Sequence, residues 1–130
     1  MKRNDDNQLV RTGELEWRPL GEEGVSGVYV KPLLYDAAAR RSPTILLKFD
    51  PGATYPLHNH PGGEEIFVLE GDIKLGRDEL RAGDYLYTAA GNKHRVSTRA
   101  GCVVLVKVPQ EVEIIPAREK REENRIDKED

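Results

Sequence analysis

The chain is expected to fold as an all-β sandwich or barrel, and three features of the sequence carry that expectation. Short strand-length segments recur about every ten residues, each bounded by Gly, Pro or Asp-containing turns, which is the spacing of sandwich and barrel folds. The helix-leaning stretches are Asp36 to Arg41, too short to matter alone, and a charged C-terminal tail. The excess behind the 33% of charged residues is terminal: of the 14 residues from Ala117 to Asp130, 11 are charged, while all twelve Gly lie between Leu9 and Pro116. That middle stretch has the charge density of an ordinary globular domain.

The segments follow in order. Val25 to Val30 ends at Lys31-Pro32, and Thr44 to Phe49 runs from Ser42-Pro43 to Asp50-Pro51-Gly52. Glu65 to Glu70 follows Pro61-Gly62-Gly63 and ends at Gly71; Asp72 to Leu75 ends at Gly76. Asp84 to Thr88 follows Gly83, Lys93 to Thr98 lies between Gly91 and Gly101, and Cys102 to Val108 and Glu111 to Ile115 close the series. Ile66-Phe67-Val68-Leu69 and Val103-Val104-Leu105-Val106 are apolar on both faces, so each needs cover on both sides. A second layer or a partner subunit would supply it, and a homodimer is expected. The domain reading is a flexible N-terminal segment at 1–14, one domain at 15–116, and a tail at 117–130 with room for a short C-terminal helix.

Composition narrows the function. A chain of 130 residues holds one core. The lone Cys102 can form no internal disulfide and rules out a Cys-rich zinc framework. With 20 basic and 23 acidic residues the net charge is −3, and no basic cluster is interleaved with aromatics, which argues against a nucleic-acid partner. Met1 to Gln8 lacks the apolar stretch of a signal peptide, so a cytoplasmic location is expected. The longest apolar run, Cys102 to Val106, is far short of the ~20 residues of a membrane helix.

The three histidines carry the chemistry. His58 and His60 are two apart, so on a strand both imidazoles project from one face. Pro61-Gly62-Gly63 can turn the chain back so that Glu64 opens the next strand beside them, and a neighbouring strand could bring His94 to the same point. Imidazole and carboxylate together suit Fe, Mn, Ni, Cu or Zn without choosing among them. Glu65 competes with Glu64, but alternation sends the two side chains to opposite faces.

The segment Gly52 to Gly71 resembles the first cupin motif, G-x5-H-x-H-x3,4-E-x6-G, and satisfies every fixed position with Gly52, His58, His60, Glu64 and Gly71. The second motif, G-x5-P-x-G-x2-H-x3-N, maps onto Gly83, Gly91 and His94, with Ala89 in place of the proline and Thr98 in place of the asparagine. Trp17, the Pro-Gly-Gly-Glu-Glu turn, Val68 to Gly71 and Gly101-Cys102 resemble a narrower group, the cupin domains like the C-terminal domain of the anti-sigma factor ChrR, close to acetylacetone-cleaving dioxygenases. The likeness covers about residues 15 to 110.

This resemblance implies a double-stranded β-helix, the RmlC-like cupin jelly roll, with one divalent ion per chain (Fe, Zn, Mn or Ni) held by His58, His60, Glu64 and His94. It implies zinc if the site is like that of ChrR and iron if like that of the dioxygenases. The implied function is a metal-dependent dioxygenase acting on a small oxygen-chelating, β-diketone-like substrate; the other is a non-catalytic metal- or ligand-sensing module. ChrR-like proteins grip a sigma factor with a separate N-terminal zinc domain, and here about 24 residues without His or Cys precede the first expected strand, so sigma-factor binding is read as improbable. Tyr55 is the candidate catalytic side chain; Tyr85 and Tyr87 could also line a pocket, though core burial is their ordinary role. Cys102 is read as buried and Arg95 as facing away from the metal.

Overall fold

A computed structural model describes residues 6–116, which form ten antiparallel strands in two facing sheets. The strands are β1 (Arg18–Pro19), β2 (Val28–Asp36), β3 (Arg41–Phe49), β4 (Thr54–Asn59), β5 (Glu64–Leu75), β6 (Asp78–Arg81), β7 (Tyr85–Thr88), β8 (Lys93–Ser97), β9 (Cys102–Lys107) and β10 (Glu113–Ile114). One sheet has the order β1-β2-β3-β9-β5-β7; the other joins β10, β4, β8 and β6 to the far half of β5. This curled, almost helix-free sandwich is the architecture the sequence predicts. No helix among the described residues is long and apolar enough to cross a membrane. The tail from 117 onward, with the short helix expected there, lies outside the described residues.

Alternation builds the core. Cys102, Val104 and Val106 of β9 point inward against Ile66 and Val68 of β5, and Val68 and Val104 are fully buried. Glu65, Phe67 and Leu69 take the opposite face, where Phe67, Leu69, Tyr85 and Tyr87 stand exposed. Phe67 and Leu69 belong to the run for which the sequence demanded a cover, and the described residues leave them exposed. Tyr85 and Tyr87 are therefore not core aromatics and stand outside the cavity between the sheets; Tyr87 lines an outer pocket that includes His94, and Tyr85 donates a hydrogen bond to Glu65 at 2.8 Å on this outer face.

Three local readings change. Glu65 to Glu70 and Asp72 to Leu75 are one strand, because Gly71 does not end it. Gly71 has φ +78°, and a Cβ there would lie 1.9 Å from the Gly101 carbonyl oxygen. The glycine lets β5 bend through a register shift at Val68/Glu70 and pass from one sheet to the other. Lys31-Pro32 does not end β2, since β1 covers only Tyr29 and Val30 and leaves Pro32 on a free edge that asks for no N–H. Asp36 to Arg41 is the β2–β3 turn and its flanks, held by Asp36 Oδ1 accepting from the Ala38 and Ala39 amides at 3.0 and 3.3 Å.

At the N-terminal end, Thr12–Glu14, within the segment read as flexible, forms a 3-10 turn whose Thr12 carbonyl accepts from Lys31 Nζ at 2.8 Å. Trp17 lies beneath Lys31 and Lys48, whose ammonium groups sit 4.6 and 5.2 Å from its ring centre.

Candidate metal centre

His58 on β4 pairs directly with His94 on β8, so two strands set two imidazoles side by side, edge to face with ring centres 4.9 Å apart. Tyr55 and His58 are three residues apart yet both point inward, because a bulge between them rephases β4. Pro56, which has no N–H to offer a ladder, sits in that bulge, and its carbonyl lies 2.8 Å from His58 Nδ1. His60 lies one residue beyond the end of β4 but turns its ring to the same point, its Nδ1 2.7 Å from the Asn92 carbonyl. The three histidine ligand atoms lie within 4.8 Å of one another, and His58, His60 and His94 are 3%, 0% and 8% exposed.

A backbone carbonyl at Nδ1 fixes the tautomer of His58 and His60 with the proton on that nitrogen, leaving the Nε2 lone pair free to bind an ion. Glu64, the first residue of β5, faces the cluster: its Oε1 lies 3.5 Å from His60 Nε2 and 3.8 Å from His94 Nε2. Glu65 points outward, as alternation requires. Among the described residues, His60 Nε2, His94 Nε2 and Glu64 Oε1 are buried without a hydrogen-bond partner. Three such orphans converging on one point is an unfavourable arrangement for a closed polar cluster and a fitting one for a divalent cation. The chain thus brings His58, His60, Glu64 and His94 together.

The altered second motif still builds its loop. Thr98, in the asparagine position, donates Oγ1 to the Asp72 carbonyl at 2.6 Å and accepts from the Gly101 amide at 3.0 Å. Ala89, in the proline position, accepts from the Asn92 amide at 3.0 Å, which keeps the turn that presents the Asn92 carbonyl to His60.

Burial sets the electrostatics. It pushes Glu64 up to about 7 and His58 and His94 down to about 4 and 3, and it lowers His60 as well. In chelator-treated protein the histidines take up protons more readily when unfolded, so their contribution is lost as pH falls below 6.5. Glu64 acts in the opposite sense: its contribution is full below 4.5 and is lost as pH rises to about 7. Metal-free Glu64→Gln is therefore expected to be the more stable protein above pH 7, by on the order of 3 kcal/mol, and to lose stability more steeply than wild type on acidification. Urea midpoints at four pH values check this, and parallel profiles would refute it.

Beside the cluster lies a cavity of about 220 Å³ walled by Ile45, Leu47, Ile66, Ile73, Val104 and Val106, with His58 and Glu64 in its lining. Tyr55 lines it too, its ring edge-on to His58 at 4.7 Å, and its hydroxyl donates to Glu22. Burial first, and then Glu22, raise the Tyr55 pKa. Glu22, Arg41 and Glu111 complete the polar part of the lining. Sequence reasoning missed these three because each reaches the cavity from a separate loop or strand end, and no spacing relates them to the histidines. Cys102 is buried, its thiol pushed up to about 11 by burial, and Arg95 is exposed on the outer side of β8, as expected.

Comparison with known proteins supports this picture. The ChrR cupin-like domain family matches residues 5–111. A 64-residue stretch is 38% identical to the DNA damage-repair/toleration protein DRT102 of Arabidopsis thaliana, covering 44% of this chain and 21% of that protein, so the chain spans about a fifth of the relative's length. The acetylacetone dioxygenase of Acinetobacter johnsonii superposes with a TM-score of 0.76 at 15% identity, over 91% of this chain and 84% of that one, a likeness of fold. The complex of Rhodobacter sphaeroides SigE with the anti-sigma ChrR matches with a TM-score of 0.61 at 27% identity, over 75% of this chain and 50% of that one.

The last match corrects one expectation. Sigma-factor binding was read as improbable from the residues ahead of the first strand, but the matched fold belongs to a protein solved in a sigma-factor complex. A count of preceding residues says nothing about the surfaces the barrel itself presents.

Proposed function

The chain belongs to the ChrR cupin-like domain family, and we propose that it is a small metal-dependent cupin of dioxygenase type, acting on a small oxygen-chelating, β-diketone-like substrate. The observation that carries this reading is the convergence of orphaned His60 Nε2, His94 Nε2 and Glu64 Oε1 beside an apolar cavity of about 220 Å³. In this reading His58, His60, Glu64 and His94 hold one divalent ion, and residues 15–116 are the functional unit.

When bound, iron in such a site supplies Lewis-acid polarisation of a chelating oxygen pair and a place for dioxygen. The chain supplies the rest. The carbonyls of Pro56 and Asn92 hold the His58 and His60 rings in orientation and tautomer. Glu64 contributes the negative charge that offsets a cation. The aliphatic wall seats the body of a ligand; at about 220 Å³ the cavity exceeds the ~150 Å³ that admits a benzene ring. Tyr55 braces the His58 ring and is the candidate catalytic group.

Fe(II)-loaded protein is expected to consume oxygen on addition of acetylacetone, followed with an oxygen electrode. No uptake across a panel of β-diketones, with iron content verified, would remove the enzyme reading. A second reading, a metal- or ligand-sensing module with a sigma-factor partner, is favoured by the match to ChrR at 27% identity. Zinc in protein purified from its host, together with co-purification of a sigma factor, would support it.

A further inference from the structure

Among the residues lining the cavity, the carboxylates of Glu22, Glu64 and Glu111 stand against a single guanidinium, Arg41. That guanidinium is itself engaged, its Nη1 donating to the Val108 and Pro109 carbonyls at 2.7 and 3.3 Å. Glu64 faces the histidines and its charge is matched to a cation there. Glu22 and Glu111 have no such counterpart in the lining.

The loop between β1 and β2 carries Glu22 to this wall. The Leu20 amide bonds to the Val28 carbonyl at 2.9 Å and the Val25 amide to the Glu22 carbonyl at 3.2 Å, so the turn is tied at both ends, and Leu20 and Glu22 both face the cavity. Glu22 Oε2 accepts the hydrogen bond that the Tyr55 hydroxyl donates. A phenol has one proton to donate, so Tyr55 can then only accept from a ligand, and the other oxygen of Glu22 can likewise only accept. Half-buried Glu22 thus presents an acceptor and a negative charge beside the apolar wall, where screening is reduced, while Glu111 is exposed to solvent and Arg41 keeps its positive charge at the other polar edge of the lining.

We propose that Glu22, fixed by its hydrogen bond to Tyr55, is the charge-selectivity residue of the cavity. It favours neutral, mainly apolar ligands whose peripheral polar group is a donor, a hydroxyl or an amine, and it turns away carboxylate-bearing molecules of the same size. The inference rests on the cavity being the substrate site of the proposed function, and it adds the class of molecule admitted. A dicarboxylate with the same 1,3-dioxygen spacing also chelates a cation, but as a dianion where a β-diketone binds as its singly charged enolate; Glu22, half-buried at the wall, repels the additional charge.

Acetylacetone and malonate share that spacing and differ in charge, which makes them the probes. Co(II)-loaded wild type is titrated anaerobically with each, and binding is read from the visible absorption of the cobalt. Acetylacetone is expected to bind at least 100-fold more tightly than malonate, and Glu22→Gln to narrow that ratio at least 10-fold, chiefly by a gain in malonate binding. Equal binding by wild type, or an unchanged ratio in a folded Glu22→Gln protein, overturns the proposal. Phenol and benzoate provide the arm that needs no metal. In chelator-treated protein phenol should raise the melting temperature while benzoate does so only in Glu22→Gln. If cobalt is not taken up, the metal-centre reading fails, and the phenol and benzoate result alone decides the role of Glu22: equal shifts by the two compounds in wild type reject it.

Discussion

His60→Ala is expected to lower the affinity for Zn(II) or Co(II) at least 100-fold. His60 is fully buried, its Nδ1 is tied to the Asn92 carbonyl, and its Nε2 has no hydrogen-bond partner among the described residues. Loss of an outer-sphere partner alone typically costs 10- to 100-fold in metal affinity, and removal of a ligand exceeds that. The thermal readout separates metal loss from misfolding. In wild type, metal at ~100 times its Kd should add about 2.7 kcal/mol of stability that chelator removes. In His60→Ala the same metal concentration should add no more than about 0.4 kcal/mol over chelator, at a stability lowered by about 2 kcal/mol by the cavity left behind. A variant that still melts higher with metal than with chelator, by the wild-type increment, would remove His60 from the site and take the proposed function with it.

Gly71→Ala is expected to be the most damaging single methyl in the barrel. The added Cβ would sit 1.9 Å from the Gly101 carbonyl oxygen and 2.9 Å from Cys102 Cα, both backbone atoms that cannot swing aside, at a φ of +78°. The clash and the left-handed conformation together should cost upward of about 4 kcal/mol, enough to leave little soluble folded protein. Gly83→Ala is the control: φ is +93°, but nothing lies within 4 Å of the new Cβ, so only the backbone penalty of about 1–2 kcal/mol applies. Urea denaturation of the two variants side by side tests the distinction. Equal loss in both would mean that close approach at Gly71 does not govern the passage of β5 between sheets.

The same glycine shows where sequence reading succeeds and where it stops. Regular strands announce themselves by alternation, and Cys102, Val104 and Val106 point inward as their spacing predicts. The histidine cluster was readable because His58, His60 and Glu64 lie within one turn and its flanks, and His94 stands at a fixed offset from Gly83 and Gly91. Gly71 reads as a stop because turns and close backbone approaches use the same residue, and only the carbonyl of Gly101 tells them apart. Tyr85 and Tyr87 misled for a related reason: an aromatic on a strand suggests burial, while which face it takes depends on the pairing of β7 with β5. Glu22, Arg41 and Glu111 are an assembly of long-range folding and carry no local signature.

The passage of β5 through both sheets bears on the order in which the molecule can form. Its first half pairs with β7 and β9 and its second half with β6 and β8. Among the described residues the β2–β3 and β5–β6 hairpins are local, but the β3–β9 ladder joins Thr44 to Lys107, and β10 returns to β4 late in the chain. Such pairings close large loops before any contact rewards them, which places folding in the slow, millisecond-to-second range of β barrels. His58 and His94 meet only when β4 and β8 have paired, and Glu64 reaches them only when β5 is seated. During synthesis a free ion therefore meets scattered, low-affinity imidazoles until most of the barrel has emerged, and the site itself reports that the chain has closed.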